Sequence, residues 1–181
     1  MRELAQELAR IPGVVAVAPG GSRALGTERP DSDWDFAIYY RGSLDPTHVT
    51  ALGYGGEVFA QGEWAYPMNG GAWLRIDGVD VDLIYRDLAD VERWTSAAAR
   101  GDWELYRVPG YLAGFATYGL AGELALGEVL AGVLPKPAFT DALRGNAPKR
   151  WRWEARFALD HAEVHATRDD DAATLGSAPS P

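Results

Sequence analysis

Asp33 and Asp35 lie two residues apart in a segment, Asp33 to Tyr40, whose residues alternate in character. Trp34, Phe36, Ile38 and Tyr40 fall on one side, and Asp33, Asp35, Ala37 and Tyr39 on the other. Period-two alternation predicts a strand, so both carboxylates leave the same face close together. Like charges so placed repel, and such a pair is tolerated mostly where a divalent cation or cationic partner neutralises it. Asp80 and Asp82 share a face of a later predicted strand, and either would add a third carboxylate. Ahead of the acidic pair, Gly20-Gly21-Ser22 leads into a short predicted helix through Leu25, with Ser22 as its expected N-cap and Gly26 as its stop. A glycine turn before a helix exposes backbone N–H groups and the positive end of the helix dipole, which suits a triphosphate tail.

Each feature alone has a plainer reading. An isolated Gly-Gly-Ser is most often a tight turn. The dinucleotide-binding pattern needs spaced glycines, whereas Gly20 and Gly21 are adjacent and Ala24 stands where the third would fall; the Walker pattern needs a Gly-Lys-Ser/Thr that is absent. Asp31-Ser32-Asp33-Trp34-Asp35 invites a calcium-loop reading, but Phe36 and Gly42 occupy the positions that require Gly and Glu. Magnesium, which binds few carboxylates together with waters or phosphate oxygens, fits better.

Hairpin register discriminates between Asp80 and Asp82. Trp73 to Ile76 and Val79 to Tyr85 flank Asp77-Gly78, a two-residue turn of the hairpin type. A tight turn pairs Ile76 with Val79, Arg75 with Asp80, Leu74 with Val81 and Trp73 with Asp82. Asp80 then has a cross-strand cation as its structural explanation, and Asp82 has none, so Asp82 is favoured and Asp80 is kept as the alternative.

The remaining elements follow from periodicity and breakers. Leu4, Leu8 and Ile11 mark an N-terminal helix, Val14 to Ala18 a buried strand, and Asp45-Pro46 the start of a helix through Leu52; Gly53 to Gly71 is left unassigned. Asp87 is expected to cap a helix to about Arg100, with Leu88, Val91 and Trp94 inward. From Gly110 onward the signals are helical, the last helix running from Pro148 to Thr167 with Trp151, Ala155, Ala158, Leu159 and Ala162 as its apolar stripe. Arg168 to Pro181 reads as an acidic patch and a small-residue tail, expected to be disordered.

Composition bounds the partners. The length suits one domain or a domain with a helical appendage. A net charge of -9 argues against holding long nucleic acid through its phosphates. There is no cysteine, hence no disulfide, thiolate metal site or thiol nucleophile. Glu3 and Glu7 interrupt any export signal, and Glu123 and Glu128 interrupt the apolar run Leu112 to Leu134, which reads as buried helices rather than a membrane span. A cytoplasmic location is the default expectation.

Taken together, Gly20-Gly21-Ser22-Arg23-Ala24-Leu25-Gly26 and Pro30-Asp31-Ser32-Asp33-Trp34-Asp35-Phe36 resemble the signature of the DNA polymerase β-like nucleotidyltransferase superfamily. Gly78 to Tyr85 resembles the strand supplying that family's third carboxylate, so the resemblance covers the first half of the chain. The helical second half is similar in outline to that of kanamycin nucleotidyltransferase and of small bacterial nucleotidyltransferases paired with helical toxins. The resemblance implies an α+β fold, a small mixed sheet flanked by helices and followed by a helical C-terminal region. It divides the chain into a catalytic domain at 1–108, the helical region at 109–168 and a tail at 169–181. It also implies a two-metal enzyme. Asp33, Asp35 and Asp82 would hold two magnesium ions, and Gly21, Ser22 and Arg23 would hold the phosphates of a nucleoside triphosphate, taken as ATP. A nucleoside monophosphate would pass to a hydroxyl acceptor, either a small molecule or a protein. The alternatives are an antitoxin-type enzyme that nucleotidylates a partner protein and a degenerate nucleotide-binding module.

Weaker candidates have simpler readings. His161 and His165 have metal-compatible i, i+4 spacing but no visible third ligand, so a solvated helix face is expected. His48 is assigned nothing. Trp64 and Tyr66 are read as loop packing ahead of base stacking, and Glu123 and Glu128 as helix surface ahead of a general base.

Overall fold

The alternation at residues 33–40 becomes strand β2 (Trp34–Tyr40), the centre around which the other elements assemble. The computed structural model describes residues 1–30, 32–109, 111–168 and 170–177. Helix α1 (Arg2–Leu8) precedes β1 (Val14–Pro19), which pairs antiparallel with β2. Helix α2 (Gly21–Leu25) fills the turn between them. After α3 (Thr47–Thr50), the segment left unassigned supplies β3 (Gly55–Val58), which extends the hairpin of β4 (Gly71–Ile76) and β5 (Val79–Asp87). That hairpin has the expected register, from Ile76 opposite Val79 to Trp73 opposite Asp82. Its turn works because Asp77 and Gly78 both adopt positive φ, 50° and 81°.

The sheet order is β3-β4-β5-β2-β1-β8, with β2 and β5 parallel. The β2–β5 pairing is what matters for the site, since it sets Asp35 beside Asp82. Both faces of the sheet are covered. Phe36, Ile38 and Tyr40 join Leu4, Leu8, Val17 and Leu83 on the α1 side. Ala37 and Tyr39 join Leu88, Val91 and Trp94 of α4 (Leu88–Ala99) on the other. Asp87 caps α4, its carboxylate accepting from the Ala89 N–H at 2.9 Å. Because both sides of β2 are buried from Phe36 onward, only its N-terminal, acidic end remains open.

The C-terminal half departs from the all-helical expectation. Strands β6 (Leu105–Val108) and β7 (Tyr111–Ala116) form a separate hairpin, α5 (Tyr118–Leu126) follows, and β8 (Ala131–Gly132) adds a short edge to β1. The apolar run Leu112 to Leu134 is therefore strand, helix and strand, a distinction that a short apolar run cannot make by periodicity. Helix α6 (Asp141–Ala166) begins seven residues before the expected Pro148, which lies inside it. Its start is fixed by Thr140, whose hydroxyl accepts from the Leu143 N–H at 3.3 Å. The expected apolar stripe of α6 is not buried; its buried residues are Leu143 and Ala147. Part of the expected disordered tail, Asp171–Ser177, is helix α7, where Asp170 accepts from the Ala173 N–H; Asp169 and residues 178–181 lie outside the described residues. No helix among the described residues is long and apolar enough to cross a membrane.

Candidate active site

Strand pairing brings the three favoured carboxylates together. Asp35 on β2 sits directly beside Asp82 on the parallel β5, and Asp33 lies one residue before β2 begins. One oxygen from each of Asp33, Asp35 and Asp82 lies within 4.8 Å of the others. Asp80 is directed elsewhere: it forms an ion pair with Arg75 across the hairpin, as the register argument expects. Asp31, the first acid of the run, lies outside the described residues.

The glycine turn is fitted against this cluster. The Gly20 N–H donates to the Asp35 carbonyl at 2.9 Å, which joins the end of β1 to β2. Gly21 has φ +57°, and a Cβ there would stand 1.8 Å from the Asp35 Oδ2. Both the backbone angle and the space therefore require glycine. Gly20, not Ser22, is the N-cap of α2, because the first helical bond runs from the Ala24 N–H to the Gly20 carbonyl at 3.1 Å; Gly26 ends the helix in the left-handed conformation, as expected. As the first residues of a helix, Gly21 and Ser22 have N–H groups with no intrahelical acceptor. Arg23 is held by the loop: its guanidinium donates to the carbonyls of Asp33 at 2.7 Å and Ser32 at 2.6 Å and lies 4.3 Å over the Trp34 ring. It ties down the segment that presents Asp33.

The electrostatics show a concentration of negative charge that Arg23 only partly offsets. Burial first, then Asp33 and Asp82, raise the Asp35 carboxyl to about 6, with Arg23 opposing. Burial, then Asp33 and Asp80, also raise Asp82. A divalent cation bound to hard oxygen donors removes the repulsive part of these shifts, so the donor set fits magnesium. Among the described residues this is the one group of three or more potential ligands so placed.

Sequence reading missed a buried ion pair further along β5. Arg86, four residues beyond Asp82 on the same face of β5, is buried and makes two bonds to Glu123 of α5, Nε to Oε2 at 2.9 Å and Nη2 to Oε1 at 2.7 Å. A third bond, from Nη1, reaches the Pro67 carbonyl at 3.1 Å. Glu123 is thus neither a free surface carboxylate nor a free base, whereas Glu128 is exposed. Tyr111 on β7 is near enough that Arg86, Glu123 and Asp35 all bear on its phenol, which burial chiefly raises. No local signal pairs Arg86 with Glu123, because 37 residues separate them. The other weak candidates are engaged in packing. Tyr66 donates to Asp90, Trp64 stacks on Trp73, and His161 lies against Phe157. A polar cavity of about 220 Å³, lined in part by Tyr40, Asn69, Arg86 and Asp87, lies at the other end of the β2–β5 pair. Its hydroxyl and guanidinium groups already bond to protein partners.

A mixed sheet that brings three acids beside a glycine turn defines a nucleotidyl-transfer class of protein. Residues 1–103 match the family model described as the nucleotidyltransferase domain, and the chain belongs to that family. Among solved structures, the chain is similar to a cytoplasmic RNA terminal U-transferase, at 15% identity and TM-score 0.35 over 68% of this chain and 43% of the other. It is also similar to terminal uridylyl transferase 4 from Trypanosoma brucei with bound UTP and UpU, at 14% identity and TM-score 0.30 over 81% of this chain and 64% of the other. The chain thus spans about two fifths to two thirds of the length of these structures. No curated protein matches the chain.

Proposed function

We propose that this chain is a magnesium-dependent nucleotidyltransferase that moves a nucleoside monophosphate from ATP to a hydroxyl acceptor. The observation that carries this reading is the convergence of the Asp33, Asp35 and Asp82 oxygens within 4.8 Å, against a glycine that tolerates no side chain. Two magnesium ions, when bound, would neutralise charge on the triphosphate and on the acceptor oxygen as it attacks the α-phosphorus and pyrophosphate leaves. Asp33 and Asp35 would hold both ions, and Asp82 would hold one and orient the acceptor hydroxyl. The N–H groups at Gly21 and Ser22, with the Ser22 hydroxyl, would receive the terminal phosphates. Arg23, fixed on the Ser32 and Asp33 carbonyls, would act mainly by positioning Asp33. In this reading residues 1–108 carry the chemistry, and residues 109–168 supply Tyr111, whose phenol lies near enough to feel Asp35. The acceptor is a small molecule or a protein, not long nucleic acid, in keeping with the net charge of -9.

The test is pyrophosphate release from each common ribonucleoside triphosphate, with magnesium and candidate acceptors. Mass spectrometry of the acceptor then distinguishes a small polyol amine from a partner protein. Release that requires magnesium and is lost in Asp35→Asn supports the reading. Triphosphate binding without release under every acceptor condition would instead make this a nucleotide-binding module.

A further inference from the structure

One row of residues crosses the sheet through the acids. Strand register sets Glu57 of β3 beside Trp73 of β4, Trp73 beside Asp82 of β5, and Asp82 beside Asp35 of β2, whose carbonyl takes the Gly20 N–H. Residues directly opposite one another share a face, so these four side chains leave the sheet together. Their neighbours Val58, Leu74, Val81 and Phe36 go to the α1 side. On the face of the acids the covering layer ends at Trp64. A Cβ on Gly71 would stand 2.8 Å from the Trp64 ring, so the glycine is what lets that indole lie against the sheet. Trp64 stacks on Trp73 at 5.5 Å, and Phe59 meets Trp73 edge-on at 4.7 Å. Held by both rings, Trp73 is still 51% exposed. An indole fixed by packing and half open beside a reactive carboxylate is a preformed surface for a ligand. Glu57 on its other side is exposed, and its carboxylate makes no hydrogen bond or ion pair among the described residues. Arg75, the next residue of β4 on this face, is paired with Asp80, so its charge is offset.

We propose that Trp73 and Glu57 form the acceptor subsite, and that the acceptor is a small hydroxyl-bearing ring compound carrying a protonated amine. This inference rests on the transfer reading above. In a displacement at the α-phosphorus the attacking and leaving oxygens lie in line, on opposite sides. The row runs Gly20, Asp35, Asp82, Trp73, Glu57, so a triphosphate whose leaving end sits at Gly21 is attacked from the side of Trp73. The acceptor ring packs on the Trp73 indole, its hydroxyl reaches Asp82 and its amine reaches Glu57. Strands β3 and β5 are two strand spacings apart, about 10 Å, which a small ring compound spans. An indole face beside a free carboxylate attracts a cation, and the same carboxylate repels a phosphorylated acceptor.

Glucosamine, glucose and glucose 6-phosphate test this subsite, since they present one ring with a cation, no charge and an anion. In the full chain labelled with 5-fluorotryptophan and free of metal, the Trp73 fluorine resonance, assigned through Trp73→Phe, should shift most with glucosamine and not with glucose 6-phosphate. In pyrophosphate release with ATP and magnesium, Trp73→Ala and Glu57→Gln should each raise the KM for glucosamine about tenfold. The change in kcat should be smaller, and the KM for ATP should stay the same. Glu57→Lys, on an exposed edge strand, should reverse the order of glucosamine and glucose 6-phosphate; thermal midpoints verify that each variant folds. A Trp73 resonance indifferent to glucosamine, or a preference that ignores the charge at residue 57, would overturn the proposal. So would a Trp73→Ala variant that raises the KM for ATP alone, which would give the indole to the nucleotide base, or transfer to a protein with none to glucosamine. The two readings fail separately. A Trp73 response to glucosamine without pyrophosphate release under any acceptor counts against transfer, whereas release with a glucosamine KM unmoved by Trp73→Ala and Glu57→Gln counts against the subsite alone.

Discussion

Asp35 is where the local chemistry of the site is most exposed to experiment. Its carboxyl is raised from 3.8 to about 6 by burial and by Asp33 and Asp82. The folded state therefore holds this proton more tightly than the unfolded state does. The associated stability is present below about pH 4 and is lost as pH rises through about 6. At neutral pH an ionised Asp35 thus opposes folding unless a cation is bound. Asp35→Asn should abolish transfer yet raise the thermal midpoint of the metal-free protein near neutral pH. Magnesium should raise the midpoint of the wild type and leave that of the variant nearly unchanged, which scanning calorimetry at several pH values would read. For the same reason, magnesium affinity measured by titration calorimetry should fall as pH drops through about 6. Gly21→Ala provides an independent check. Its Cβ would meet the Asp35 carboxylate at 1.8 Å with φ held at +57°. We expect a stability loss of about 1–2 kcal/mol from backbone strain and a larger loss of metal affinity, because the carboxylate must swing away. Unchanged magnesium binding in that variant would contradict the fitted contact.

Among the elements, the contact between β5 and α5 is the most consequential. Arg86 is 3% exposed and has Glu123 as its counter-ion, so removing Glu123 leaves a buried charge without compensation. Glu123→Leu should cost about 3 kcal/mol, and adding Arg86→Met should recover part of that loss, both measured by urea unfolding. A double variant less stable than Glu123→Leu alone would contradict this account. This contact also marks the limit of what the sequence discloses. The β4–β5 register, the cap at Asp87 and the stop at Gly26 are legible because each depends on residues a few positions apart. The convergence of Asp33, Asp35 and Asp82 is legible through the register that singles out Asp82, together with the family resemblance. Strand β7 is not legible, since Tyr111 to Ala116 carries an apolar pattern that helix and strand share until Tyr106 and Val108 pair with it. Nor is the start of α6, because Pro148 reads locally as a helix beginning while Thr140 provides the cap. The Arg86–Glu123 pair lies beyond any local pattern.

At the scale of the molecule, the two halves share a core. Val108 packs with Phe115, Leu120 and Leu124 in the cluster that also holds Ala37, Tyr39 and Trp94. A cut at 108 would therefore separate β6 from β7, uncover that cluster and strip Arg86 of Glu123. The fragment 1–108 should lose cooperative unfolding, read as a broad thermal transition with increased binding of an apolar dye. A sharp transition like that of the full chain would show the first half to be self-sufficient. The most direct measurement of the central claim is anomalous diffraction from a crystal of the full chain soaked with manganese and a non-hydrolysable triphosphate. Metal peaks shared by Asp33, Asp35 and Asp82 are expected, with the triphosphate against Gly21 and Ser22. Peaks elsewhere, or a triphosphate bound away from that turn, would contradict it.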